Sequence, residues 1–410
     1  MKKIYVLSLV FLVITLVGCN FGTAEVTTVV VDTENYDNIS TVDDLRSMKM
    51  NQSYQLTNDL DLGGEEWTPI GTFDDPFLGN FNGNGYTISN FKISTNHYGY
   101  NGLFGYVRGD IENISIVGFD IDIEDDFLMN VGGLAGVSYG SVKEVVISGD
   151  IKVKSNSGSV YAGMLVGQAL ADLQEVFVED IFTPNQLSDN TVSGEVSVTG
   201  TLNHYVGGLV GKAHNVKVNQ NRVSDVSINI TDGINVYVGG LIGLQFLYDF
   251  DTLDSSLDLD KGLVNQNFIA ADIAVNGAKK LVSGSLIGYN QNTVVENNAT
   301  DVLFDFVADA VIFGGLIGEN WVEDIGANIT KISRYTAEST TETIGDVIGI
   351  NQSADSSALG FYLNQSSLEL IADDGIEVSA MDLIDDEFYS EHFSELTSEF
   401  IGELKAFYQE

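Results

Sequence analysis

The chain is short of the residues on which most catalytic and nucleic-acid-binding proteins depend. It has one cysteine in 410 residues, so an intrachain disulfide or a site with several thiolates is excluded. Three prolines beside 43 glycines indicate turns made by glycine rather than a disordered Pro-Gly polymer. Lysine and arginine total 18 against 59 acidic residues, a formal charge of -41. A protein that tracks nucleic acid needs a basic face, so that partner is excluded. His97, His204, His214 and His392 are isolated, and no HExxH zinc motif occurs. Arg46, Arg108, Arg222 and Arg334 fall in no acidic-basic constellation of the kind that polysaccharide lyases use. The pairs Asp74-Asp75 and Asp385-Asp386 are adjacent, which sends them to opposite faces of a strand and makes them solvent-facing charge. No Ser-His-Asp arrangement, phosphate loop or dinucleotide fingerprint is present. No catalytic residue and no cofactor site is therefore expected, and Trp67 and Trp321 are expected in the core or in turns.

What the chain has is repetition. A five-residue motif, seen as Gly-Gly-Leu-Val-Gly at Gly207 to Gly211, recurs eight times. Its last residues are Gly105, Gly136, Gly167, Gly211, Gly243, Gly288, Gly318 and Gly349, at gaps of 31, 31, 44, 32, 45, 30 and 31 residues. Position five is always Gly, and position one is Gly except for Asn101. These two are backbone requirements, either a φ above zero or close approach to a neighbouring segment. Position two admits Met164, Ser285 and Asp346, so it is expected to tolerate a side chain. Positions three and four are apolar every time, from Leu103-Phe104 to Val347-Ile348. Adjacent apolar residues cannot both point inward from a regular strand, so the chain is expected to turn a corner there.

These features resemble the GLUG-motif repeat family of bacterial surface proteins, whose repeats also stand beside the peptidase domain of some IgA-cleaving metallopeptidases. Trp67-Thr-Pro-Ile-Gly71, Phe77 to Ile88 and Gly102-Leu-Phe-Gly105 look like that family's entry segment and first repeat. The resemblance runs from about Ile39 to about Gly349 and includes no peptidase domain. It implies an all-β fold, a right-handed parallel β-helix of about 30-residue repeats, and no particular chemistry.

Between motifs, apolar residues alternate in pairs of short runs: Ile111, Ile114 and Ile116, then Ile121 and Ile123; one period later Val142, Val145 and Ile147, then Ile151 and Val153. Three short strands per period would make one triangular coil rising about 4.8 Å, and the whole a rod on the order of 45 Å. Asn113, Asn221, Asn267 and Asn297 each follow a Val or Ile closely and could stack as a ladder at one turn, or be scattered loop residues. The two long gaps carry extra residues within Gln168 to Asp189 and Leu244 to Gly262. Insertions in a repeat array map to surface loops where partners bind. Alternating aspartates in the second suggest calcium at Asp254, Asp258 and Asp260, but the spacing fits neither an EF-hand nor the nonapeptide calcium repeat. A solvated acidic loop is the default.

Residues 1–18 read as a lipoprotein signal peptide: Lys2-Lys3, an apolar run from Ile4 to Val17, and Leu16-Val-Gly-Cys19 matching the bacterial lipobox. The run is shorter than the roughly 20 residues a spanning helix needs. Cys19 is the expected lipid attachment site, and residues 19–38 the lipidated tether. Residues 39–357 form the expected β-helix, with a helix from Ser40-Thr41 to about Met50 covering its open end and a strand from Tyr54 to Leu62. Residues 358–410 are expected to be a C-terminal cap, with a strand at Ala358 to Leu363 and an acidic helical segment after Ser379. The expected function is a lipid-anchored protein on the extracellular face of the bacterial membrane, an adhesin or ligand-binding scaffold for a protein or glycan. The alternatives are a polysaccharide-active enzyme or a structural envelope component.

Overall fold

The computed structural model describes residues 32–171, 185–246, 263–291, 293–321, 325–351, 360–364, 376–393 and 396–409. Cys19, the signal segment and the candidate calcium ligands Asp254, Asp258 and Asp260 lie outside the described residues, as does most of both insertions. The chain is nearly all β, and each named strand pairing is parallel. Strands pair with their counterparts one period away: Val210–His214 lies between Val166–Leu170 and Ile242–Phe246.

The glycine motif is the corner that divides two sheets. A strand of the larger sheet ends on position one, as Asn203–Gly207 does, and a strand of the smaller sheet starts on position four, as Val210–His214 does. The eight motifs thereby supply all the strands of an eight-stranded sheet running in chain order from Phe104–Val107 to Ile348–Asn351. The turn lets positions three and four both reach the interior: Leu209, Val210, Leu241 and Ile242 are fully buried. Each such side chain contributes about 1.5–3 kcal/mol of burial, which is why the motif keeps both.

The motif glycines act through proximity, and their φ angles are not positive. A Cβ on Gly211 would stand 2.5 Å from the Ala162 amide nitrogen and 2.8 Å from the Gly167 carbonyl oxygen. Gly243 repeats this against Val206 and Gly211, at 2.5 and 2.7 Å. Position two is less permissive than the sequence suggests. A Cβ at Gly208, Gly240 or Gly315 would lie 2.1, 2.3 or 2.0 Å from the carbonyl oxygen of the second residue in the next motif. Where a side chain does occur there, as at Ser285, it is buried and its hydroxyl lies 2.7 Å from that of Thr300.

Among the described residues, periods contain two to four strands. After the smaller-sheet strand Ala135–Ser138 come Val142–Ser155 and Val160–Gly163, so the two expected runs from Val142 to Val153 are one long strand. Its register against Ile111–Asp125 shifts by one residue at Ser148/Gly149, where Gly118 in the neighbouring strand has φ +66. Later periods break the long segment differently, giving Lys217–Asn219, Arg222–Thr231 and Asn235–Gly239.

An asparagine ladder exists, with a different membership from the expected one. It runs through Asn190, Asn221, Asn267, Asn298 and Asn328, all buried. Each of the first four donates its side-chain Nδ2–H to the Oδ1 of the next at 2.8 to 3.0 Å, and the next Oδ1 also accepts the backbone amide. Asn113 and Asn297 sit instead in the left-handed residue just before that column, at φ 55 and 56, with Glu144, Asp189, Gln220 and Gln266 as their equivalents. Asparagine tolerates this conformation, so sequence spacing alone could not separate turn residue from ladder residue. The column starts at Asn190 because the equivalent earlier positions are the apolar Ile114 and Val145.

At the N-terminal end, Val42–Arg46 forms helix α1, with Thr41 and Asp44 making a reciprocal capping box. Leu45 buries the helix in the core. The expected strand from Tyr54 to Leu62 is two strands, Gln52–Leu56 and Leu60–Asp61. At the other end, Gly360–Asn364 adds one more parallel strand, and helices α2, Asp386–His392, and α3, Ser398–Gln409, follow. They do more than cover an end. Arg222, Phe268, Ala299, Ile329 and Phe361 are consecutive partners in one outward column, and Phe400, Leu404 and Tyr389 join Phe268, Ala299, Ile329 and Phe361 in a second core. The Tyr408 hydroxyl donates to the Ile329 carbonyl at 3.0 Å. Helix α3 therefore lies along the flank, and Val146, in the same column at the uncovered end, is 48% exposed.

Candidate ligand-binding groove

Each glycine corner is concave on its outer side, because the strand after it folds back against the strand before it in the preceding period. Two columns of side chains meet across this concavity. On the larger sheet the column is Tyr100, Asn130, Tyr161, Tyr205, Tyr237 and Val282. On the smaller sheet it is Tyr106, Val137, Gln168, Lys212, Leu244, Tyr289 and Glu319. Contacts across the gap confirm the pairing: Gln168 donates to the Asn130 Oδ1, and the Tyr237 and Tyr289 rings meet edge to face at 5.9 Å.

The groove is rich in tyrosine. Tyr161, Tyr205 and Tyr237 stack at centroid distances of 4.7 and 5.2 Å with ring planes within 6° of parallel. Their faces cover one another, so edges and hydroxyls form the outward row. Burial pushes the Tyr161 phenol up to about 12 and raises Tyr205 and Tyr237 as well, so all three are neutral donors near neutral pH. At the N-terminal end Tyr106 packs against Tyr100 and Tyr139 at 5.4 and 5.6 Å, with exposed Phe73 edge-on at 5.7 Å. The Arg108 guanidinium lies 5.2 Å from the Tyr139 ring centre. At the other end Glu319 takes a hydrogen bond from the Trp321 indole at 3.1 Å and faces Lys280 at 3.8 Å.

Lys212 lies at the centre and is half-buried. Desolvation lowers its pKa, and no carboxylate among the described residues offsets that burial. Two residues on, burial and then the Lys212 charge hold His214 down at about 4.

The histidines stand apart from one another: His204 is fully buried, His97 lies before the first motif, and His392 packs on Phe361 at 4.8 Å. Among the described residues no three of His, Cys, Asp and Glu gather as a metal set, and no helix is long and apolar enough to cross a membrane. Asp74, Asp75, Asp385 and Asp386 are exposed. Asp385 caps α2 by accepting the Glu387 amide at 3.0 Å, and Asp386 pairs with Lys405. Arg46 pairs with Glu65 at 3.2 Å. Trp67 is in the core, donating its indole N–H to the Leu103 carbonyl at 2.9 Å, whereas Trp321 is 45% exposed. Arg334 lines a separate shallow depression with Ser227, Asn229, Asp272 and Asp305. The tyrosine column was missed in the sequence, although its signal is the Tyr two residues before position one at Tyr161, Tyr205 and Tyr237.

No family model matches the chain. A Gly-rich membrane protein, so named, from Evansella cellulosilytica is 40% identical over 98 residues, covering 23% of this chain and 11% of the relative. Halomucin from Haloquadratum walsbyi is 29% identical over 166 residues, covering 36% of this chain and 2% of the relative. The chain thus spans only a small part of these relatives. A crystal structure titled as an immunoglobulin A1 protease from Bacteroides ovatus aligns over 87% of both chains with a TM-score of 0.40 and 16% identity.

Proposed function

We propose that this is a lipid-anchored protein of the bacterial cell surface, in which a right-handed parallel β-helix of the GLUG type serves as an adhesin or ligand-binding scaffold. Residues 1–18 direct export, Cys19 takes the lipid, residues 19–38 form a tether, and residues 39–357 carry the repeats. The parallel pairing of every strand with its counterpart one period away supports the helical stack. The partial similarity to a protein named as a membrane protein supports a membrane-associated setting.

The observation that carries the binding role is the concave tyrosine groove. Three hydroxyl edges in a row, with no hydrogen-bond partner among the described residues and bordered by polar side chains, would offer hydrogen bonds to an extended ligand at regular intervals. Polar groups at fixed positions on rigid strands give specificity at low ordering cost. The test is a binding screen of the detergent-solubilised full chain against glycans and extracellular proteins, repeated with Tyr161, Tyr205 and Tyr237 all changed to Phe. Saturable binding that the triple variant weakens supports the scaffold role. Abundance at the surface without saturable binding would make it a structural envelope component, and released oligosaccharide would make it an enzyme.

A further inference from the structure

Among the described residues, the Lys212 ammonium in the groove has no ionic partner. Lys212 occupies the central period, in the column where Gln168 reaches Asn130 and Tyr289 reaches Tyr237, so register sets it opposite Tyr161 and beside Tyr205. It forms no hydrogen bond or ion pair within the described residues, although the chain has 59 acidic side chains to draw on. Among the described residues six other lysines are paired, while Lys49, Lys143 and Lys279 are not, but burial lowers the pKa of Lys212. Lys92, Lys152, Lys154, Lys280, Lys331 and Lys405 each have a carboxylate within reach. Partial burial of a charge without a partner costs free energy, and a bound anion would offset it.

We infer that the groove binds a linear, mostly neutral glycan bearing an isolated carboxylate, with that carboxylate seated on Lys212 and the sugar hydroxyls on the row of Tyr161, Tyr205 and Tyr237. The inference rests on the binding role proposed above and names the ligand class for that site. Two features select this chemistry. The ring spacing of 4.7 and 5.2 Å is close to the length of one pyranose residue in an equatorially linked chain. An extended peptide advances about 3.3 Å per residue, or about 6.6 Å between side chains on one face, and matches poorly. The second feature is charge. At a net charge of -41 a fully ionised polymer is repelled along its whole length, and one cation cannot offset that. A single carboxylate meets Lys212 at short range, while the remaining acidic surface is screened beyond about 8–10 Å at physiological salt.

The test is calorimetric titration of the detergent-solubilised full chain with three probes: a xylo-oligosaccharide bearing one glucuronate, the same oligosaccharide without it, and oligogalacturonate of equal length. The expected order places the singly acidic chain at least tenfold tighter than either of the others. Lys212→Met should abolish that preference by weakening the singly acidic chain at least tenfold more than the neutral one, and Tyr205→Phe should weaken both xylo-oligosaccharides equally. Melting temperatures of both variants should match wild type, which separates lost binding from lost fold. Equal affinity for the acidic and neutral chains, unmoved by Lys212→Met, overturns the anion subsite while the groove stands as a glycan site. Tighter binding of oligogalacturonate overturns the charge argument. Failure of folded wild-type protein to bind any of the three, with an acidic extended peptide bound in their place, overturns the glycan assignment while the groove remains a binding site.

Discussion

Asn221 donates both its backbone amide and its side-chain Nδ2–H to the Oδ1 of Asn267, at 2.9 and 3.0 Å, across 46 residues of sequence. The step to Asn298 repeats the geometry across only 31 residues. The additional residues of the longer gap therefore leave the ladder undisturbed. The next period resumes in register.

Removing a rung should be costly. Asn267→Ala deletes the acceptor of the buried Asn221 amide and the donor to the Val218 and Asn265 carbonyls. Leaving such groups unsatisfied costs about 1–3 kcal/mol each, so a loss of about 3 kcal/mol is expected in urea denaturation. Asn229→Ala, on the exposed face, should stay within about 0.5 kcal/mol. Comparable losses from the two would show that the ladder adds nothing specific.

Glycine substitutions should separate crowding from conformation. Gly243→Ala and Gly243→Asn should both cost about 3 kcal/mol, since a Cβ would stand 2.5 Å from the Val206 amide nitrogen. Gly63 has φ +69 and nothing within 4 Å, so Gly63→Ala should cost about 1–2 kcal/mol and Gly63→Asn less. Relief of the Gly243 variant by Asn would contradict the crowding explanation.

Acid should destabilise the chain through His214. His214 titrates near 4 in the folded chain, well below the ordinary 6.5, because burial and then Lys212 disfavour its charged form. As pH falls below about 6.5 the unfolded chain takes a proton that the folded chain refuses, so this group's contribution is lost progressively down to about 4. The difference in midpoint between wild type and His214→Gln should therefore narrow over that window. A constant difference from pH 7 to 4 would remove His214 from the acid response.

Salt should stabilise the chain. About forty uncompensated negative charges repel one another, and the melting temperature is expected to rise with sodium chloride as the screening length falls to about 10 Å at 0.1 M. Submillimolar calcium should add nothing further. A saturable calcium shift that vanishes when Asp254, Asp258 and Asp260 become Asn would instead establish a specific site.

Anchoring is tested at Cys19. Cys19→Ser should abolish incorporation of labelled lipid and leave an unprocessed precursor. Equal labelling of wild type and variant would end the lipoprotein proposal.

The sequence revealed most where one residue type has one cause. Eight invariant glycines at position five mark eight corners, because only a missing Cβ fits against the preceding period. It revealed least where one residue type serves two ends. Asn113 and Asn221 look alike in sequence, yet one occupies a left-handed turn and the other an inward ladder. Tyr205 and Val206 alternate as any half-buried strand does, so nothing in that pattern indicated that the tyrosines of three periods stack in a groove. Phe268 and Ile329 read as ordinary strand residues, and only the tertiary placement of α3 shows that their outward column is covered.

Most strand pairings among the described residues join neighbouring periods, as in a row of dominoes that touch only their neighbours. Helix α3 breaks that rule. Tyr408 reaches back 108 residues to the Thr300 carbonyl, and Glu403 approaches Arg222 at 3.9 Å. Periods that could otherwise fray independently are thereby fastened along one side by a helix that follows them in the chain. Until α3 has been made and docks, Phe268, Ala299 and Ile329 form an apolar strip open to water, the kind of surface through which partly folded chains self-associate.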